Sequence, residues 1–166
     1  MDAVPTIALL LLALQAPTGS SEETAYVEPS VAAAVSRARP AVLKKLGTAK
    51  CRGILAEFKD LEGVPLEEVL IALGETPEIR IRKMAFLDGS RMYPCRQRDV
   101  YAFTNPGLLS VFLCDRFRKL VYVNVDAAAN ILIHEMLHSI GTGEAPTPGF
   151  PDAYEISSRV DARCAR

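Results

Sequence analysis

The sequence predicts a single α+β domain, and three observations carry that expectation. The chain has 166 residues, 49% of them hydrophobic, with a formal net charge of −1, so it can bury one core of ordinary size. Several segments repeat apolar residues with the helical period, and shorter β-branched and aromatic runs lie between them, bounded by Gly, Pro and Asn. No internal repeat or low-complexity tract divides the chain. The near-neutral charge lacks the basic excess that nucleic acid or acidic lipid would attract, so no nucleic-acid partner is expected.

The amino terminus stands apart from that domain. Residues 7–14 form an apolar run too short to span a bilayer, and they lead into the small, polar stretch from Gln15 to Glu22. Residues 1–21 read as a signal peptide, although Met1 to Val4 carries no Lys or Arg, and residues 22–30 read as a loose linker before a domain at 31–166. A secreted or periplasmic protein is expected, with no stable membrane insertion after the leader is removed.

Along the domain, helices are expected at 31–46, interrupted by Pro40, and at 51–61. Leu66 to Leu73 should be a short amphipathic helix closed by Gly74. Alternation in Ile79-Arg80-Ile81-Arg82 predicts a strand with both arginines on one solvated face, and Met84 to Leu87, before Asp88-Gly89, a second strand and a turn. Val100 to Phe103 and Ser110 to Leu113 flank Asn105-Pro106-Gly107 as the arms of a hairpin. Leu120 to Val125 has strand composition but sits where a helix is about to start. Together these runs make a small, mainly antiparallel sheet, packed against a buried helix with further helices around it.

Four cysteines, Cys51, Cys95, Cys114 and Cys164, are scattered with no CxxC pair, which behind a signal peptide favours two disulfides. Of the three connectivities, Cys95–Cys114 with Cys51–Cys164 is preferred. The first pair falls near the open end of the hairpin, and the second would tie a terminal helix to the first half of the domain.

The buried helix is expected at 127–140. Asp126 is a candidate N-cap, three alanines follow it, and Gly141 sits where the helix should stop. Glu135 carries the one formal charge between 127 and 140, so the two histidines of the chain, His134 and His138, enter an apolar setting. Four apart on a helix, they lie on one face and can reach one tetrahedral ion. Glu135, about 100° further round, can instead reach a water held on that ion. This is the HExxH pattern, a metal site whose bland alternative is a hydrogen-bonded core pair.

A catalytic zinc usually takes three protein ligands and a water. Glu144 follows His138 by six residues with Gly141 between, and Glu155 follows it by seventeen. Glu155 also completes a capping box with Asp152 at the start of a helix running toward Cys164, so it has a structural role without metal. Glu144 is favoured, with Glu155 and Asp152 as the alternatives.

Through HEMLHSIGTGE the chain resembles the zincin metallopeptidases, with the ligand spacing HExxHxxGxxE of the metzincins and Glu in place of the last His. It is also similar to small secreted bacterial metallopeptidases. The resemblance covers about Val125 to Glu144, and no methionine follows Met136, so the metzincin Met-turn has no candidate. Glu155 stands near the gluzincin separation, but Arg159 occupies the place of the Asp found one turn further on.

The resemblance implies a zincin-like fold, one Zn²⁺ held by His134, His138 and Glu144, and Glu135 as general base in the hydrolysis of a peptide or protein substrate. It further implies a substrate extended along a sheet edge, supplied by the 108–114 strand or its neighbour. Tyr154 and Arg159 are the candidates for an oxyanion donor, and the loop 145–151, with three prolines, for a cleft wall. The competing function class is a secreted metal-binding module without hydrolytic activity.

Overall fold

A computed structural model describes residues 28–165. The expected signal peptide and residues 22–27 of the expected linker lie outside them. Among the described residues, seven α-helices and one three-stranded sheet share a continuous apolar core, an α+β arrangement.

Helix α1, Pro29–Leu46, begins within the stretch expected to be linker. The Glu28 carboxylate accepts from the Val31 amide at 3.0 Å, and a proline in the first turn loses no intrahelical bond. Pro40 does not end the helix. It lies on the exposed side, where water can replace the bond it removes, while Val31, Ala34, Val35, Ala38, Val42 and Leu46 bury the opposite face. Helix α2, Ala49–Arg52, passes into a 3₁₀ turn at Gly53–Glu57, and helical structure stops there rather than at residue 61. Asp60 Oδ1 accepts from the amides of Glu62 and Val64 at 2.9 and 2.8 Å, a local bonding pattern that competes with a helix. Its main chain bridges to Thr142. Helix α3, Leu66–Leu73, stops at Gly74 as expected.

The run 79–82 is a helix, not a strand. In α4, Pro77–Lys83, Thr76 Oγ1 caps the Ile79 amide at 3.2 Å and Pro77 holds the first position, a start signal stronger than four alternating residues. The two arginines therefore part company. Arg82 is exposed, whereas Arg80 is 5% exposed and pairs at 3.3 Å with Glu75. Residues 120–123 are helical too, in α5, Asp115–Val123, where Phe117 and Val121, one turn apart, bury the face that decides the conformation.

The sheet is mixed rather than mainly antiparallel. Its order is β1–β3–β2, with β1 Ala85–Asp88, β2 Ala102–Phe103 and β3 Ser110–Leu113. β2 and β3 form the expected hairpin, pairing Ala102 with Leu113 and Phe103 with Phe112. β1 runs parallel to β3 over four residues, from Ala85 opposite Ser110 to Asp88 opposite Leu113. Turn residues identify hairpins; nothing local identifies a partner reached by crossover.

Helix α6, Val125–Ile140, packs against α1, α5, α4, β2 and the last helix, α7, Ala153–Cys164. Asn124, not Asp126, is its N-cap, accepting from Ala127 at 3.0 Å and leaving Asp126 in the first turn. Leu132, Ile133, Met136 and Leu137 are at most 1% exposed, and each contributes about 1.5–3 kcal/mol by burial. Both disulfides, Cys51–Cys164 and Cys95–Cys114, have the preferred connectivity. They are consistent with a secreted protein, and no helix among the described residues is long and apolar enough to cross a membrane.

Candidate metal centre

The helical repeat of α6 sets His134 above His138 with ring centroids 4.8 Å apart. Past Ile140 the chain doubles back. Gly141 adopts φ +143°, where a side chain would be strained, and its Cβ would lie 2.8 Å from the Cβ of Asp60. A Cβ on Gly143 would stand 2.8 Å from Leu61 and 2.9 Å from the Phe150 ring. These two glycines let the turn close tightly enough to return Glu144 to the histidines.

Glu144 Oε2 lies 3.0 Å from His138 Nε2 and 3.7 Å from His134 Nε2, and the two Nε2 atoms are 3.0 Å apart. His134, His138 and Glu144 are thus a group able to hold a metal ion. Glu155 is elsewhere, ion-paired with Arg159, and Asp152 caps α7 through the Glu155 amide at 2.8 Å. Tyr154 is 82% exposed, and Arg159 rests over Phe58 at 5.3 Å; neither lines the cleft beside the histidines.

The donor set suits a cation. His138 Nδ1 is 2.8 Å from the Thr142 carbonyl, which only accepts, so Nδ1 carries the hydrogen and Nε2 of the neutral ring presents a lone pair. That lone pair faces a carboxylate and a second imidazole nitrogen. A hydrogen on His134 Nε2 can bridge the two rings, yet it leaves the Glu144 carboxylate against a lone pair. A proton on His138 Nε2 satisfies the Glu144 carboxylate alone, and a metal cation among the three atoms relieves every contact at once.

The electrostatics agree with this geometry. His134 and then His138 draw the Glu144 carboxyl down to about 2 despite its partial burial. Burial works against a charge on His138, but the hydrogen bond with Glu144 and the charges of Glu135 and Glu144 overcome it and raise its pKa. Glu135, 4% exposed, is pushed up by burial against the pull of both histidines, and its Oε2 has no hydrogen-bond partner.

A cavity of about 430 Å³ opens on these residues. On one side are Tyr101 to Thr104, including the whole of β2, which is an outer strand of the sheet; on the other are Ala153 and Ser157 of α7, and Thr147 represents the proline loop. The hairpin turn is fastened to the floor, since the Gly107 amide donates to the His138 carbonyl at 2.9 Å. Sequence reading did not find Ser157, whose Oγ is 3.0 Å from His134 Nδ1, or the Thr142 carbonyl. A main-chain oxygen leaves no mark on a sequence, and Ser157 acquires its role only when α7 docks on α6. Comparison of the chain with protein-family models, with curated proteins and with solved structures finds no match.

Proposed function

We propose that this protein is a secreted zinc metallopeptidase of zincin type, with His134, His138 and Glu144 as ligands and Glu135 as general base. One observation carries the reading: three ligand atoms within 4.8 Å of one another beside a buried carboxylate with an unpartnered oxygen, in an open cleft. A bound Zn²⁺ would supply Lewis acidity, acidifying water at the centre and polarising a substrate carbonyl.

The chain's own residues would do the rest. The Thr142 carbonyl and Ser157 fix the two imidazoles so that both Nε2 atoms point inward. A peptide laid along β2 can pair with its main chain, which reads backbone rather than side chains. Glu135 takes a proton from the attacking water as the oxygen–carbon bond forms. It then delivers that proton to the amide nitrogen as the carbon–nitrogen bond breaks. Burial favours this exchange, because a carboxyl raised above its ordinary value holds a proton more readily.

The test is elemental analysis of the oxidised protein, purified without chelator or nickel affinity, together with Glu144→Ala, Glu155→Ala and a peptide-library digest. One zinc per chain in wild type and Glu155→Ala, its loss in Glu144→Ala, and zinc-dependent cleavage are expected. Folded wild type that takes up no zinc would overturn the metal reading; zinc without cleavage would leave a binding module.

A further inference from the structure

We propose that Ser157 is a positioning residue of this centre, a hydroxyl that holds the His134 ring in whichever tautomer the centre requires. The inference rests on the metal reading above for one of its two states and on hydrogen-bond geometry for the other.

His134 Nε2 faces His138 Nε2 at 3.0 Å, and its other ring nitrogen, Nδ1, faces Ser157 Oγ at 3.0 Å. With a metal ion on Nε2, the neutral ring must carry its hydrogen on Nδ1, and Ser157 Oγ accepts it. Without the ion, a neutral His138 has no hydrogen on Nε2, because its one ring hydrogen is committed through Nδ1 to the Thr142 carbonyl. His134 then bridges by donating from Nε2, its Nδ1 becomes an acceptor, and Ser157 donates. A hydroxyl can serve both states by rotating, whereas a carboxylate could only accept.

The two histidines are therefore oriented by unlike means. His138 is held from within its own turn by a carbonyl of fixed polarity. His134 is held from a different element, α7, whose position depends on the burial of Ile156 and Val160, the Cys51–Cys164 bond and the 2.8 Å bond from Lys45 Nζ to the Cys164 carbonyl.

The experiment compares zinc affinity, by competition with a chromophoric chelator, in wild type, Ser157→Ala, Ser157→Thr and Asp161→Ala. The last removes the 2.6 Å bond from Asn130 in the same α6–α7 seam without touching His134. Ser157→Ala should bind zinc about tenfold more weakly, Ser157→Thr should recover most of that loss, and Asp161→Ala should match wild type. The nitrogen resonances of His134 are followed in the metal-free proteins, where Ser157→Ala should displace Nδ1 of His134 and leave His138 in place. Undiminished affinity in Ser157→Ala, or an equal loss in Asp161→Ala, would overturn the role. If wild type takes no zinc, the metal reading falls by itself and the metal-free resonances decide: unmoved His134 signals in Ser157→Ala would reject the positioning role, and selective displacement would uphold it.

Discussion

Glu135 is buried beside both histidines with one oxygen unpartnered, a placement that weakens the fold slightly and suits a proton carrier. Glu135→Gln keeps the shape and removes the basicity. It should lower peptide hydrolysis by about a hundredfold to ten-thousandfold while zinc content, read by elemental analysis, is unchanged. Glu144 gives a pH prediction of definite sign. Its carboxyl is held at about 2 against an ordinary 4.5, so in the metal-free protein it stabilises the fold above 4.5, and that contribution is lost as pH falls toward 2. The urea-midpoint gap between wild type and Glu144→Gln should therefore close across that window; a gap independent of pH would refute the pairing. At this scale the sequence was legible where placement follows the helical repeat, as for His134 and His138, and Glu144 was favoured beside them because Glu155 already had a capping role at the start of α7. The orienting groups were not, because a carbonyl and a serine are defined by what docks on them.

Among the elements, α4 matters to the site through Arg80. Its guanidinium reaches across to α6, donating to Ser139 Oγ at 3.2 Å and to the Ser139 carbonyl, while Glu75 balances its charge from a 6% exposed side chain. A cation at the carbonyl end of α6 is favourable with the helix dipole. Arg80→Ala would leave the buried Glu75 carboxylate without its arginine partner, and Lys83, 2.8 Å from the other Glu75 oxygen, covers only part of the loss. The expected destabilisation is about 3 kcal/mol, read by urea unfolding, with Arg80→Met less affected if packing contributes. The misreading of 79–82 has the same origin. Four alternating residues look like a strand, but Thr76 and Pro77 start a helix, and the helix sends Arg80 inward and Arg82 out. Likewise the hairpin was legible from Asn105-Pro106-Gly107, whereas the parallel β1–β3 ladder joins strands that no local turn connects, with α1 packed against β1.

For the molecule as a whole, the Cys51–Cys164 bond closes most of the domain, its ends 113 positions apart in sequence, and fastens the carboxyl-terminal end of α7, the helix whose Ser157 meets His134. Replacing both cysteines with alanine should cost about 4–5 kcal/mol by loop entropy and should weaken zinc binding more than removal of Cys95–Cys114, which spans 19 residues and lies on the hairpin side. Paired urea and zinc titrations of the two double variants check that order. The pairing was readable because one bond closes a hairpin and the other anchors a terminus; the sheet's mixed sense was not, since it depends on distant layers. The amide of Gly107 donating to the His138 carbonyl joins the strand-bearing wall to the helical turn that holds a ligand. Under the proposed function, a chain seated on β2 and an ion among the histidines would bear on one shared main-chain contact, and by thermodynamic reciprocity any effect of one on the affinity of the other must be returned in equal measure.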